Sequence, residues 1–196
     1  TSTVSANVDS GFSVVSYTVS GESAHTTGHG LSKAPELILW KSRDRTSSWT
    51  VYAEPIGNAK KLVLDTTAAE ANTGGWSSTS PTSTLVSHGG YYDGDDIVYY
   101  AFHSVDGYSK VGGYSGNGST DGTFIYTGFR PAWVMLKVRN SSERWYCFDN
   151  TRSEYNAVRK YMMLESALSE GDYGSTDILD FTSNGFKFRH GSGTYW

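Results

Sequence analysis

Apolar and polar residues alternate along this chain in short runs. In ELILWKSR, starting at Glu36, Ile38 and Trp40 fall on one side of an extended strand. Leu37, Leu39, Lys41 and Arg43 fall on the other side. Both sides begin apolar, as expected of an inner strand covered on both faces for half its length. AWVMLKVR, starting at Ala132, repeats the pattern, with Val134, Leu136 and Val138 opposite Trp133, Met135, Lys137 and Arg139. The two segments are predicted to be equivalent core strands.

Further runs of this kind, separated by Gly, Asn, Asp and Ser clusters, predict strands at 12–19, 24–29, 36–43, 49–54, 61–66, 83–88 and 97–105. A second set is predicted at 108–114, 122–126, 132–139, 145–150, 160–165, 178–182 and 185–190. At most one short helical turn is expected, from AVRKYMML or SALSEG, and the first of these aligns with a segment read as strand.

The two sets read as one pattern written twice. Pro35 and Pro131, Lys41 and Lys137, Arg43 and Arg139, and Trp49 and Trp145 match at a constant spacing of 96 residues. With small gaps, Gly11-Phe12-Ser13 matches Gly107-Tyr108-Ser109, and Tyr17 matches Tyr114. KKLVLDTTAAE matches KYMMLESALSE, and His88-Gly89 matches His190-Gly191. The expectation is an all-β antiparallel sandwich, lectin-like or jelly-roll, built by internal duplication. It would be a single merged sandwich over 1–196, with pseudo-repeats at about 11–106 and 107–196. The first copy continues through YYDGDD into IVYYAFHSV, whereas the second stops near Trp196, so the second copy is expected to lack its last strand.

Composition narrows the picture. Charged residues are 18% of the chain and the net charge is −4, with no basic run, so nucleic acid is not an expected partner. No apolar run approaches the roughly 20 residues needed to span a bilayer. The single cysteine, Cys147 in WYCFDN, excludes an intrachain disulfide and reads as buried filler.

Several segments resemble an uncharacterised domain family recurrent in structural and tail-fibre-like proteins of bacteriophages, notably marine phages. They are GFSVVSYT, GHGLSKAPELI, the long GYSKVGGYSGNGSTDGTFIYTGFRPAWVMLK and SNGFKFR. The resemblance runs from about Gly11 to Tyr195. It implies a virion protein with a concanavalin A-like or jelly-roll sandwich, used for attachment or decoration, and it brings no catalytic residues. The family pattern continues a few residues past Trp196.

Candidate chemistry concentrates in the first copy. Asp93, Asp95 and Asp96 crowd the YYDGDD loop, which the second copy replaces by GSG. They read as solvated turn acids, with a Ca²⁺ or glycan-hydroxyl site as the functional alternative. Tyr91 and Tyr92 in the same loop, and Trp76 in NTGGWSSTS, read either as rings free to stack on a ligand or another subunit, or as local packing. His25 and His29 lie too far apart on a strand to share a metal and read as surface or turn residues. His88 and His190 read as structural, and Trp49 and Trp145 as core. No glucanase-type E-x-D-x-x-E, G-x-S-x-G elbow or phosphate loop is present, so no enzyme is expected. The functional expectation is a self-associating virion module at the particle surface or tail. It would bind other virion proteins and a host-surface glycan without a cofactor or membrane insertion. The alternative is a decoration or assembly domain without a ligand.

Overall fold

A computed structural model describes residues 2–21, 24–72, 76–89 and 93–191. All its regular elements are antiparallel strands, apart from one 3-10 turn at Glu54–Ile56. Pro55, within that turn, suits it with a fixed φ. Within AVRKYMML, Lys160–Met163 is strand, as its repeat partner predicts.

The chain forms two compact units, one of Thr1–Gly112 with Arg139–Ser141 and one of Gly113–Val138 with Ser142–Trp196. Each buries a separate apolar cluster. The single sandwich expected over 1–196 is therefore described as two units, each with its own core.

Unit 1 contains β1 (Ser2–Asn7), β2 (Phe12–Thr18), β3 (His25–Gly28), β4 (Leu37–Ser42), β5 (Thr50–Ala53), β6 (Lys60–Val63), β7 (Ala71–Asn72), β8 (Leu85–His88) and β9 (Asp96–Phe102). Seven of these form one sheet in the order β1-β2-β9-β4-β5-β6-β7, and β3 pairs with β8. Alternate residues of the large sheet meet Val86 of β8, Leu31 and Trp76. They include Val15 and Tyr17 of β2, Ile38 and Trp40 of β4, and Ile97, Tyr99 and Ala101 of β9. Ile38, Ile97 and Val15 are fully buried, and each contributes about 2 kcal/mol through its apolar area. Leu37, Leu39 and Lys41, on the other face of β4, are half-buried, as the alternation predicts.

Unit 2 contains β10 (Phe124–Tyr126), β11 (Trp133–Lys137), β12 (Trp145–Asp149), β13 (Lys160–Met163), β14 (Gly171–Asp172), β15 (Leu179–Thr182) and β16 (Gly185–Phe188). A four-stranded sheet, β11-β12-β13-β14, and a three-stranded sheet, β10-β16-β15, enclose Val134, Leu136, Phe148, Ile178, Phe181, Phe186 and Phe188.

The two units use one pairing scheme. Leu37 faces Ala53 and Ile38 faces Tyr52, while Trp133 faces Asp149 and Val134 faces Phe148. Val51 faces Leu62 and Lys60 faces Asn72; correspondingly, Cys147 faces Met162 and Lys160 faces Asp172. Side chains recur with the register. Lys41 and Lys137 each donate from Nζ to a carbonyl of the following loop, Ser47 and Glu143 respectively. The Trp49 and Trp145 amides each donate to a carboxylate, of Asp65 and Glu165.

The sequence reading departs from the structure in four places. β1 was not predicted; its side chains are almost all exposed, so it has no buried face to produce an alternating pattern. The two-residue strands β7 and β14 are too short to show a period. The segment 108–114 is not a strand and makes only the isolated bridge between Val105 and Ser109. β11, expected to be an inner strand like β4, lies at the edge of its sheet.

Cys147 is 4% exposed, on the face of β12 opposite Phe148, and burial pushes its thiol up from the ordinary range. It is therefore expected to resist a thiol-specific reagent at pH 8 in native protein. Stopped titration should show full labelling only after denaturation.

Candidate functional site

The acids of the YYDGDD loop hold structure together. Asp95 is buried, and both its carboxylate oxygens accept from Arg45 Nε, at 2.6 and 2.9 Å. The Ser42 hydroxyl adds a longer bond of 3.4 Å. Asp96 accepts from Thr18 Oγ1 at 2.7 Å, and its own N–H donates to the Asp44 carboxylate. Asp93 accepts the Gly21 N–H at 2.5 Å. The three carboxylates thus have separate partners that fasten the loop to the ends of β2 and β4. Among the described residues, no group of three or more His, Cys, Asp or Glu is disposed to hold a metal ion. Asp95→Ala should cost about 1–3 kcal/mol in urea denaturation, because it removes the buried carboxylate that accepts from Arg45 and Ser42. Asp93→Ala, at an exposed position holding one N–H, should cost less than about 1 kcal/mol.

Tyr91 and Tyr92 lie outside the described residues. Trp76 is not available for stacking on a ligand. It is 2% exposed and meets Tyr52 edge-on at 5.6 Å, so the reading of an exposed loop ring is corrected to a core ring. Its polar neighbours in sequence concealed an inward-facing ring. Trp145 is core, as expected, but Trp49 is only half-buried and stacks on Tyr100 at 5.9 Å.

The histidines also differ from the surface reading. His29 is fully buried; its Nδ1 accepts the Leu31 N–H, and Nε2 therefore donates to the Thr82 carbonyl. Burial lowers its pKa. His25 and His88 face each other across β3 and β8, with ring centroids 5.5 Å apart. His88 is fully buried, with Nε2 2.8 Å from Thr27 Oγ1, and that hydroxyl is 3.0 Å from the Tyr99 hydroxyl. Desolvation, with the charge of nearby His25, pushes the His88 pKa down to about 3, so the ring is neutral in the core.

An open groove of about 700 Å³ lies in unit 2, away from the loops marked in the sequence. Three separated segments line it: Gly118–Thr120 ahead of β10, Ser175–Asp177 ahead of β15, and Arg189–Gly191 after β16. Short-range bonds shape the first wall, with Asn117 Oδ1 accepting the Ser119 N–H and Ser119 Oγ accepting the Asp121 N–H. Asp177 accepts from Arg159 at 2.7 Å, and Arg189 donates to Asp180 at 2.6 Å. The Tyr173 ring lies 6.3 Å from that of His190. Gly191 needs its lack of side chain, because a Cβ there would sit 2.7 Å from the Thr120 nitrogen. The groove offers hydroxyls, one carboxylate, one guanidinium and one imidazole, a mixed donor and acceptor set suited to hydroxyl-rich ligands. Only compositional bias toward Ser, Thr and Gly in these segments signals the groove in the sequence.

The sequence profile of the DUF7483 family, described as a domain of unknown function, matches residues 1–195. The chain belongs to the DUF7483 family. No curated protein and no solved structure matches it. This DUF7483 chain brings together an open groove in unit 2 and a buried network around His88 in unit 1.

Proposed function

We propose that the chain is a virion module of a bacteriophage, tail-fibre-like or adhesin-like, that binds hydroxyl-rich polymers on a host surface through the unit 2 groove. The groove carries this reading, because it is open and lined by Ser119, Thr120, Ser175, Thr176, Asp177, Arg189 and His190. The segments that resemble phage structural domains support it as well. Asp177 is the groove's one carboxylate, whereas glycoside cleavage uses two, which favours holding a glycan over cutting it. Single-site binding of this kind is weak and gains strength by presentation in several copies.

The test is an array of bacterial surface polysaccharides probed with the multimerised protein. Ser175→Trp, which fills the groove from an exposed position, and Asp177→Ala should each lower retention at least tenfold while leaving the melting temperature within about 2 °C. Retention unaffected by either variant, or no retention by the wild type, would sink the groove as the attachment site.

A second reading is a decoration or assembly domain. Its support is a set of exposed aromatic side chains in unit 2, with Tyr126 at 66%, Trp133 at 52% and Tyr155 at 76% exposure. Such rings are typical anchors of protein interfaces. Concentration-dependent assembly lost in Trp133→Ala, without any polysaccharide binding, would favour it.

A further inference from the structure

We propose that the free edge of β11 is a strand-acceptor site, taking an extended peptide segment with the chemistry of β9 in antiparallel pairing. The inference treats the two units as copies of one strand plan and is independent of the groove.

In unit 1, β4 is sandwiched between β5 and β9. Ile38 faces Ala101, Trp40 faces Tyr99 and Ser42 faces Ile97, and all three β9 residues are fully buried in the core. β11, β12, β13 and β14 reproduce β4, β5, β6 and β7 residue by residue in register. Among the described residues, β11 pairs with β12 alone, and no strand stands where β9 stands in unit 1.

The orientation of the backbone shows that this edge can accept a strand. The Asn150 N–H donates to the Ala132 carbonyl directly opposite it. In an antiparallel ladder such bonded pairs alternate, so Val134 and Leu136 direct their N–H and C=O groups at β12. Trp133 and Met135 direct theirs away from it, into the position a further strand would fill. An open row of this kind is a template for another strand.

Unit 1 also specifies the occupant. Its alternate residues must be apolar and lie opposite Val134, Leu136 and Val138, over the cluster of Phe148, Phe181 and Phe188. A bulky apolar residue near its start, an aromatic in the middle and a small residue at its end would match Ile97, Tyr99 and Ala101.

The test uses the full chain and a fluorescent synthetic peptide with the sequence of residues 94–104. Saturable binding is expected by anisotropy, together with at least tenfold slower amide exchange at Trp133 and Met135. A peptide carrying Ile97→Asp, Tyr99→Asp and Ala101→Asp should bind at least tenfold more weakly. In the protein, Met135→Pro removes an edge N–H without touching the β12 ladder, and should abolish binding while keeping the fold. The control peptide keeps the test decisive if that variant does not fold. Absence of saturable binding, equal binding of the Asp peptide, or binding that survives in a folded Met135→Pro would overturn the proposal. So would a peptide-free dimer with protected β11 amides, which would assign the edge to a second copy.

Discussion

Replacing Trp76 with alanine is expected to destabilise unit 1 by about 3–5 kcal/mol, the usual cost of removing a buried aromatic ring from a packed core. The ring is 2% exposed, belongs to the cluster of Ile38, Trp40, Tyr52 and Val86, and meets Tyr52 at an edge-to-face angle of 69°. Its removal leaves a cavity that the surrounding strands cannot close, because these are held by backbone ladders. Urea denaturation followed by near-ultraviolet circular dichroism should show an earlier transition for this variant. Trp133→Ala, at a ring 52% exposed, should shift the curve by less than about 1 kcal/mol. If Trp76→Ala left the transition in place, the core assignment would fail. The same result matters for binding experiments, since any loss of retention in Trp76→Ala would reflect loss of fold rather than loss of a stacking platform.

Acid is expected to weaken unit 1 between about pH 6.5 and pH 3. His88 titrates near 6.5 in the unfolded chain and at about 3 in the fold, so the unfolded state binds the extra proton across that window. The stability that His88 contributes is fully present above pH 6.5 and declines as the pH falls through the window, at about 1.4 kcal/mol per unit. His29, also lowered by burial, acts in the same direction. Below the folded pKa both states are protonated and the loss levels off. The total is several kcal/mol, comparable with the whole stability of a small unit. His88→Phe, which replaces the imidazole by an apolar ring, should flatten the acid limb. At pH 7 it should cost about 1 kcal/mol for the lost bond to Thr27. Thermal melts of both proteins from pH 7.5 to 3.5 check this, and parallel curves would show that His88 is not the group responsible.

The central strands were legible because their signal is local. Ile38 and Trp40 alternate with Leu37, Leu39 and Lys41 within one strand, and burial divides them as the period requires. The spacing of 96 residues identified the matching positions of β4 with β11 and of β5 with β12, and the same partners face each other in both units. Pairings set by register follow the chain, so a sequence alignment reaches them.

The candidate site was not legible for the opposite reason. The groove joins residues near 119, 176 and 190, each in a polar turn with no pattern of its own. Asp93, Asp95 and Asp96 resembled a ligand site by clustering in sequence, yet their partners Gly21, Arg45 and Thr18 come from other segments. His29 and Trp76 sit among Thr, Gly and Ser, so their neighbours predicted exposure, while the opposing layer of unit 1 buries both.

By itself, then, the sequence determined that this protein is all-β, which residues alternate inward on its central strands, and which positions of β4 and β5 match those of β11 and β12. Those properties depend on side-chain order within a few residues and on spacing along the chain. The tertiary structure alone decided that Trp76 and His88 are core, that the acidic loop is fastened by Arg45 and Thr18, that an open groove lies in unit 2, and that β11 has a free edge among the described residues. Each of these depends on which distant segment is packed alongside, a relation set by the folded layers rather than by local sequence.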